Sequence, residues 1–288
     1  KIARIWDVNG KLLAELKGHG DTIRNANFSP DGNLIITASR DKMVRVWDKS
    51  GKLLADINGD ECGVNSAGFS LDGNLILTTS EFGVGCVWNT NGKLLTKVTT
   101  GNRDNNNFPY SNYFTNSLMF SPDGKLLVTF RPISDMAAPP LTESITARVW
   151  DTTGKLLTEI KGHEDYITDV NFSYDGKLLI TASADRKVRV WNTNGKLLTE
   201  LKELKEIPNS AIFSPNGKLI LTESDNQTNR IWDNNGKLIA EVTGYNSHFS
   251  PDSKLIITTS GGKTIRVWDV EGKLQAELKG HQDFIKTT

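Results

Sequence analysis

Two sets of side chains in this sequence have the composition of a hydrolytic triad: His19, Ser39 and Asp41, and again His163, Ser183 and Asp185. A hydroxyl activated by an imidazole, itself oriented by a carboxylate, is what acyl transfer needs. In both sets the serine follows the histidine by 20 residues and the aspartate follows the serine by two. A set duplicated at fixed spacing points to a structural part of a repeated unit rather than to one reactive centre, so no catalytic residue is assigned. Other donors do not converge. Two cysteines and four scattered histidines give no zinc spacing. Asp56-Ile57-Asn58-Gly59-Asp60 opens like a calcium loop, but Glu61 stands where Gly is needed and Ala67 where Glu is needed. No phosphate-binding loop is present, and no cofactor or metal is expected.

Composition narrows the partners. The 288 residues carry 34 basic and 34 acidic side chains, so the formal charge is zero. General nucleic-acid and membrane-surface binders rely on a basic field, and neither partner is expected here. No apolar run approaches the roughly 18 residues that span a bilayer. Cys62 and Cys86 make no disulfide framework; read as two lone thiols, they suit a reducing, cytoplasmic compartment.

The elements that carry these residues are repeated. Tryptophan stands at positions 6, 47, 88, 150, 191, 232 and 268, with gaps of 41, 41, 62, 41, 41 and 36. In the stretch from Gly18 to Asp48 the pattern gives strand a over 23–28, strand b over 34–39 and strand c over 43–47; strand d follows over 53–57. Ser29-Pro30-Asp31-Gly32 is a tight a–b turn: Pro fixes φ and Gly accepts a positive φ. Strand b is a near-continuous apolar run in six repeats (LIIT, LILT, LLVT, LLIT, LILT, LIIT), as in strands covered on both faces. Helical periodicity is absent, and the expected class is all-β. Phe28, Phe69, Phe120, Phe172, Phe213 and Phe249 each end strand a and precede Ser, which reads as core packing.

The Gly-His start, the Trp-Asp end and the period near 41 resemble the WD40 family over essentially the whole chain. Seven phased Trp, six Phe-Ser pairs and seven Gly-Lys-Leu turns between strands c and d make the resemblance specific. It implies an all-β, seven-bladed WD40-type β-propeller, with residues 1–288 forming one domain and no catalytic centre.

 In that architecture one blade is divided between the two ends of the chain, and here that blade is expected to lack a strand, as in a piece of a longer polypeptide. The resemblance also gives the triad-like sets a structural role. Asp of the b–c turn, His of the d–a loop, Ser of strand b and Trp of strand c form one hydrogen-bonded tetrad. This assigns Asp41, His19, Ser39 and Trp47, and Asp185, His163, Ser183 and Trp191. Elsewhere the pattern lapses: Asp60 and Phe82 replace His and Asp in one repeat, Leu204 and Asn226 in another, and Arg131 replaces Ser in a third. Those blades are expected to hold by packing and backbone pairing alone. Arg4, Arg45, Arg148, Arg189, Arg230 and Arg266 recur two residues before Trp, which points to a structural role.

The resemblance implies a non-catalytic module that binds protein or peptide on the face carrying the d–a and b–c loops. All departures from the 41-residue period fall on those loops: insertions around 100–113 and 131–143, and a five-residue loss around 242–245. Function concentrates on variable loops held by a rigid scaffold. Matching family positions gives Arg24, Asn65, Phe114, Asn116, Tyr166, Thr168, Tyr245 and Phe284 at the start of strand a, with Asn209 beside them. Arg40, Glu81, Ala184 and Asp225 precede the b–c turn Asp or its equivalent, and Tyr110 and Tyr113 lie in the first insertion. Near-identical repeats resemble bacterial arrays that serve as sensing domains of larger signalling or defence proteins. The alternatives are an enzyme or small-ligand binder with its site at the channel mouth, or an excised or engineered scaffold.

Overall fold

The computed structural model describes residues 1–59, 64, 66–79, 84–99, 118–130, 144–202, 204–260 and 263–280. Among them there is no helix; twenty-six strands form seven antiparallel sheets. The first sheet has two strands, Ala3–Trp6 (β1) and Leu12–Leu16 (β2). The other six have four each, in chain order. Ile23–Phe28 (β3), Leu34–Ser39 (β4), Met43–Asp48 (β5) and Leu53–Asn58 (β6) make the second. Ser66–Phe69 (β7), Leu75–Thr79 (β8), Val84–Asn89 (β9) and Leu94–Thr99 (β10) make the third. Leu118–Phe120 (β11), Leu126–Thr129 (β12), Ala147–Asp151 (β13) and Leu156–Ile160 (β14) make the fourth. Ile167–Phe172 (β15), Leu178–Ser183 (β16), Val188–Asn192 (β17) and Leu197–Leu201 (β18) follow. Then come Pro208–Phe213 (β19), Leu219–Ser224 (β20), Thr228–Asp233 (β21) and Leu238–Thr243 (β22). Tyr245–Phe249 (β23), Leu255–Ser260 (β24), Thr264–Asp269 (β25) and Leu274–Lys279 (β26) complete the set.

Backbone contacts divide the chain into two units, residues 1–134 with 148–157, and 135–147 with 158–288. In the first unit Ile36, Val44 and Val46 of one sheet pack with Ala67, Ile76 and Trp88 of the next. In the second unit Ile180, Val188 and Val190 pack in the same way with Ala211, Phe213, Ile220 and Trp232. Strand b therefore contributes to cores on both of its faces, which is why its sequence does not alternate.

The turns follow from their residues. Ser29 Oγ donates to Asp31 Oδ1 at 2.5 Å and accepts the Leu34 amide at 2.9 Å, tying the a–b turn to the start of strand b. Equivalent pairs recur at Ser70 and Asp72, Ser121 and Asp123, Ser173 and Asp175, Ser214 and Asn216, and Ser250 and Asp252. At the c–d turn Asp48 Oδ1 accepts the amides of Ser50 and Lys52 at 2.8 and 3.0 Å. The five-residue loss leaves a single residue, Gly244, between β22 and β23. Its φ is +140°, and a Cβ there would lie 2.5 Å from Thr258 Oγ1 and 2.7 Å from the Thr259 carbonyl oxygen, so only glycine fits.

Candidate protein-interaction surface

The His and Asp residues meet as the sequence implied, but the hydroxyl between His and Trp belongs to a different residue. His19 Nδ1 lies 2.9 Å from Asp41 Oδ2, and His19 Nε2 lies 2.8 Å from Thr37 Oγ1. Trp47 Nε1 donates to the same Thr37 oxygen at 2.9 Å. In the later sheet His163 spans Asp185 at 2.9 Å and Thr181 at 2.7 Å, and Trp191 donates to Thr181 at 2.9 Å. The assignments of Ser39 and Ser183 as tetrad hydroxyls are thus corrected to Thr37 and Thr181. The reason is register. Ile35 pairs with Trp47 and Thr37 with Arg45, so the indole reaches the hydroxyl one diagonal step along the same face. Ser39, two residues further on, ends β4 and accepts the Asp41 amide at 3.2 Å. Ser183 accepts the Asp185 amide at 3.1 Å and donates to the Asp165 carbonyl at 3.0 Å.

This arrangement orders a network and presents no nucleophile. Thr37 and Thr181 are fully buried, each hydroxyl enclosed between an indole N–H and an imidazole. Burial raises the carboxyl pKa of Asp185, but bonding and charge from His163, with the Glu164 and Lys187 amides, outweigh it and hold the value at about 2. Asp41 is also held at about 2: burial opposes, while bonds from His19 and from the Met43 and Gly20 amides prevail.

The recurrent arginines brace strand c. Arg45 Nε lies 3.0 Å from Asp56 on the adjacent strand, Arg189 Nε 2.8 Å from Glu200 and Arg266 Nε 2.8 Å from Glu277. Arg189 Nη1 also reaches Asp185 at 3.2 Å. Where Leu204 and Asn226 replace His and Asp, Arg230 turns instead to Glu206 at 2.8 Å while keeping Glu241 at 2.6 Å. Trp232 still donates to Thr222 at 3.1 Å. That sheet is therefore not held by packing and backbone pairing alone: a local ion pair takes the place of the histidine. The two lone thiols are also corrected at one site, because Cys86, fully buried on β9, is disulfide-bonded.

The two networks bring the d–a connection and the b–c turn to one end of the β3–β6 and β15–β18 sheets. Arg40 N donates to the Thr22 carbonyl, and Ala184 N to the Tyr166 carbonyl, both at 2.9 Å. The b–c turns carry left-handed backbone at Lys42, Arg186 and Gln227, with φ of 67°, 62° and 67°. Arg24, Arg40, Asp225 and Tyr245 are exposed at this end, and Tyr166 is half-buried. Tyr166 and Asp225, on neighbouring sheets, lie within electrostatic reach of each other. Burial, then the charges of Asp165 and Asp225, push the Tyr166 phenol above its ordinary pKa. Asn209 Nδ2 donates to Asp225 Oδ1. Thr168 departs from the expected partner contact: its hydroxyl donates to the Pro208 carbonyl at 2.6 Å and joins the two sheets. Asn65, Glu81, Tyr110, Tyr113, Phe114, Asn116 and Phe284 lie outside the described residues. Among the described residues no three His, Cys, Asp or Glu side chains cluster as metal ligands.

A buried carboxylate beside this surface escaped sequence reasoning. Asp169 Oδ2 accepts from Ser210 Oγ and Asn171 Nδ2 at 2.8 Å and from the Ala211 amide at 3.2 Å. Burial pushes its pKa up against those bonds. The signal was available: the equivalent residue three sheets earlier is Asn25, a neutral amide bonded to the Ala67 carbonyl at 3.0 Å.

The model of the WD domain, G-beta repeat, matches residues 10–48, 154–192, 195–233 and 238–269, just over half of the chain. The chain belongs to the WD40 repeat family. Its sheets are blades of the WD40-type β-propeller fold, and such repeats generally mediate protein–protein interaction. Similar curated proteins are the WD repeat and SOCS box-containing protein 1 of Danio rerio, Xenopus tropicalis and Homo sapiens. Each is 54% identical over 41 residues, which is 14% of this chain and 10% of the relative. The crystal structure of the computationally designed Ika8 protein matches with a TM-score of 0.68 at 22% identity. That match covers 99% of this chain and 83% of Ika8.

Proposed function

We propose that this chain is a non-catalytic module that binds a protein or peptide at the end of its sheets where d–a connections and b–c turns meet. The observation that carries the reading is the convergence of Tyr166, Asp225 and Asn209 from successive sheets at that end. Aromatic side chains backed by a rigid scaffold are the usual anchors of protein interfaces. The opposite end supports it by contrast, since its turns repeat one self-satisfied bonding pattern and offer little that varies. The insertions at 100–113 and 131–143 would add Tyr110, Tyr113 and Phe114 to the same face. The near-identity of the repeats supports a finer proposal, that the module is the sensing or partner-binding part of a larger bacterial signalling or defence protein.

Selection of a random peptide library on the immobilised protein tests the site. Selected peptides should lose at least about tenfold in affinity on Tyr166→Ala, the size of an interface anchor. Asp175→Ala at an a–b turn should leave them unchanged. Peptides that respond to the second substitution and ignore the first would place binding on the wrong end and sink the proposal.

A further inference from the structure

At three junctions among the described residues, polar side chains of one sheet bridge to the backbone of the next sheet's leading strand. From β3, the Asn25 and Asn27 amides donate to the Ala67 carbonyl of β7 at 3.0 and 3.2 Å, and Asn25 Oδ1 accepts the Ala67 N–H at 3.4 Å. From β15, Asn171 donates to the Ala211 carbonyl of β19 at 3.0 Å, and Asp169 accepts the Ala211 N–H at 3.2 Å. From β20, Glu223 accepts the N–H groups of Asn246 and Ser247 in β23 at 3.0 and 2.9 Å.

The junction from β7 and β8 to β11 lacks such a bridge among the described residues. Leu118 holds the place of Ala67, Ala211 and Ser247, two residues before the phenylalanine that ends strand a. It pairs with Thr129 as Ala67 pairs with Thr78. Ser66, Gly68 and Thr79 stand at the positions of Asn25, Asn27 and Glu223, and their side chains are shorter. A cavity of about 320 Å³ lies there, its lining including these three with Leu77, Leu118 and Phe120. A Cβ on Gly68 would meet nothing within 4 Å. Glycine inside a strand often marks the close approach of a ligand. Thr79 supplies a second, independent sign: it is 8% exposed, and among the described residues its Oγ1 has no hydrogen-bond partner. A buried hydroxyl is costly to leave unpaired, and this one lines the cavity.

We propose that this cavity binds a small, neutral primary carboxamide with an apolar body. The space corresponds to about ten water volumes, which suits a ligand of roughly ten non-hydrogen atoms. The ligand carbonyl would accept from the Thr79 hydroxyl and the Leu118 N–H, as the Glu223 carboxylate accepts from Ser247. Its NH₂ would donate to the Leu118 carbonyl, as Asn25 donates to Ala67. The apolar body would lie against Leu77 and Phe120. No Lys or Arg stands among the described lining residues, so a carboxylate ligand would be buried without a counter-charge.

The test titrates the full chain with benzamide and with benzoate, followed by ligand-detected NMR. Benzamide should bind, and benzoate should bind at least about tenfold more weakly. Gly68 does not have a positive φ, so Gly68→Asn fits the strand; it restores the side chain found at Asn27 and Asn171 and should abolish binding. Thr79→Val should weaken benzamide about five- to tenfold, the share of one hydrogen bond. Absence of benzamide binding, equal binding of benzoate, or binding indifferent to both substitutions overturns the proposal. So does binding gained only when Asn105, Asn106 and Asn107 are replaced by Ser, which assigns the cavity to amides of this chain.

Discussion

The β3–β6 and β15–β18 sheets carry the same network on nearly the same sequence, yet their leading strands live in different surroundings. His-to-Thr and Trp-to-Thr distances agree within 0.1 Å between them. Both threonines are fully buried. In β15 Phe172 is only 9% exposed and Val170 is buried, whereas in β3 Phe28 and Ala26 are exposed. The difference separates two sources of stability. The Asp-His-Thr-Trp network belongs to a single sheet and closes without help, while burial of strand a depends on what stands in front of it.

The largest effect that could break this comparison is at the paired phenylalanines. Phe172→Ala should cost about 3–5 kcal/mol as a core truncation. Phe28→Ala should cost under about 1 kcal/mol, because its ring is already in water. Urea denaturation of both variants decides it, and equal losses would mean that Phe28 is covered in solution. The network should respond alike in both sheets. Thr181→Val and Thr37→Val should each cost about 1–3 kcal/mol, since the indole N–H and the imidazole are left buried without a partner. Ser183→Ala should cost less, at about 1 kcal/mol, and a reversed ranking would restore serine as the network hydroxyl.

The smallest expected effect sharpens the comparison between Asp169 and its counterpart Asn25. Burial raises the Asp169 pKa in the folded state. The folded protein therefore holds this proton more tightly than the unfolded chain, and stability falls as pH rises from the unfolded pKa through the folded one. Asp169→Asn should remove that loss, stabilising the protein by about 1 kcal/mol at neutral pH, with no gain at a pH below both pKa values. Thermal melts across that range would show a gain independent of pH if the carboxylate is not the cause.

Period-41 tryptophans, turn residues and apolar runs made the sheets legible, because each is a local requirement of a strand or a turn. The His and Asp partners were legible for the same reason: their spacing repeats. Thr37 was harder to find than Ser39 because the choice between them depends on which residue lies diagonal to Trp47, a matter of register that spacing alone leaves open. The Arg230 ion pair to Glu206 was hidden because the acid comes from the d–a connection rather than from the position of the lost histidine. Tyr166 and Asp225 are 59 residues apart and come within electrostatic reach only when neighbouring sheets pack.

The pairing of serine with aspartate or asparagine in the a–b turns has a kinetic consequence. Ser173 bonds Asp175 and Leu178, partners two and five residues away, and β15 to β18 then pair in chain order. Each hairpin of the β15–β18 sheet can close over a short loop, which keeps the entropy of its formation low. Individual sheets of such an array can nucleate separately and then recruit their neighbours. The slow event is the face-to-face meeting of finished sheets, so substitutions at Phe213 or Ile180 should act on that docking step, and substitutions at Ser173 or Asp175 on the earlier one.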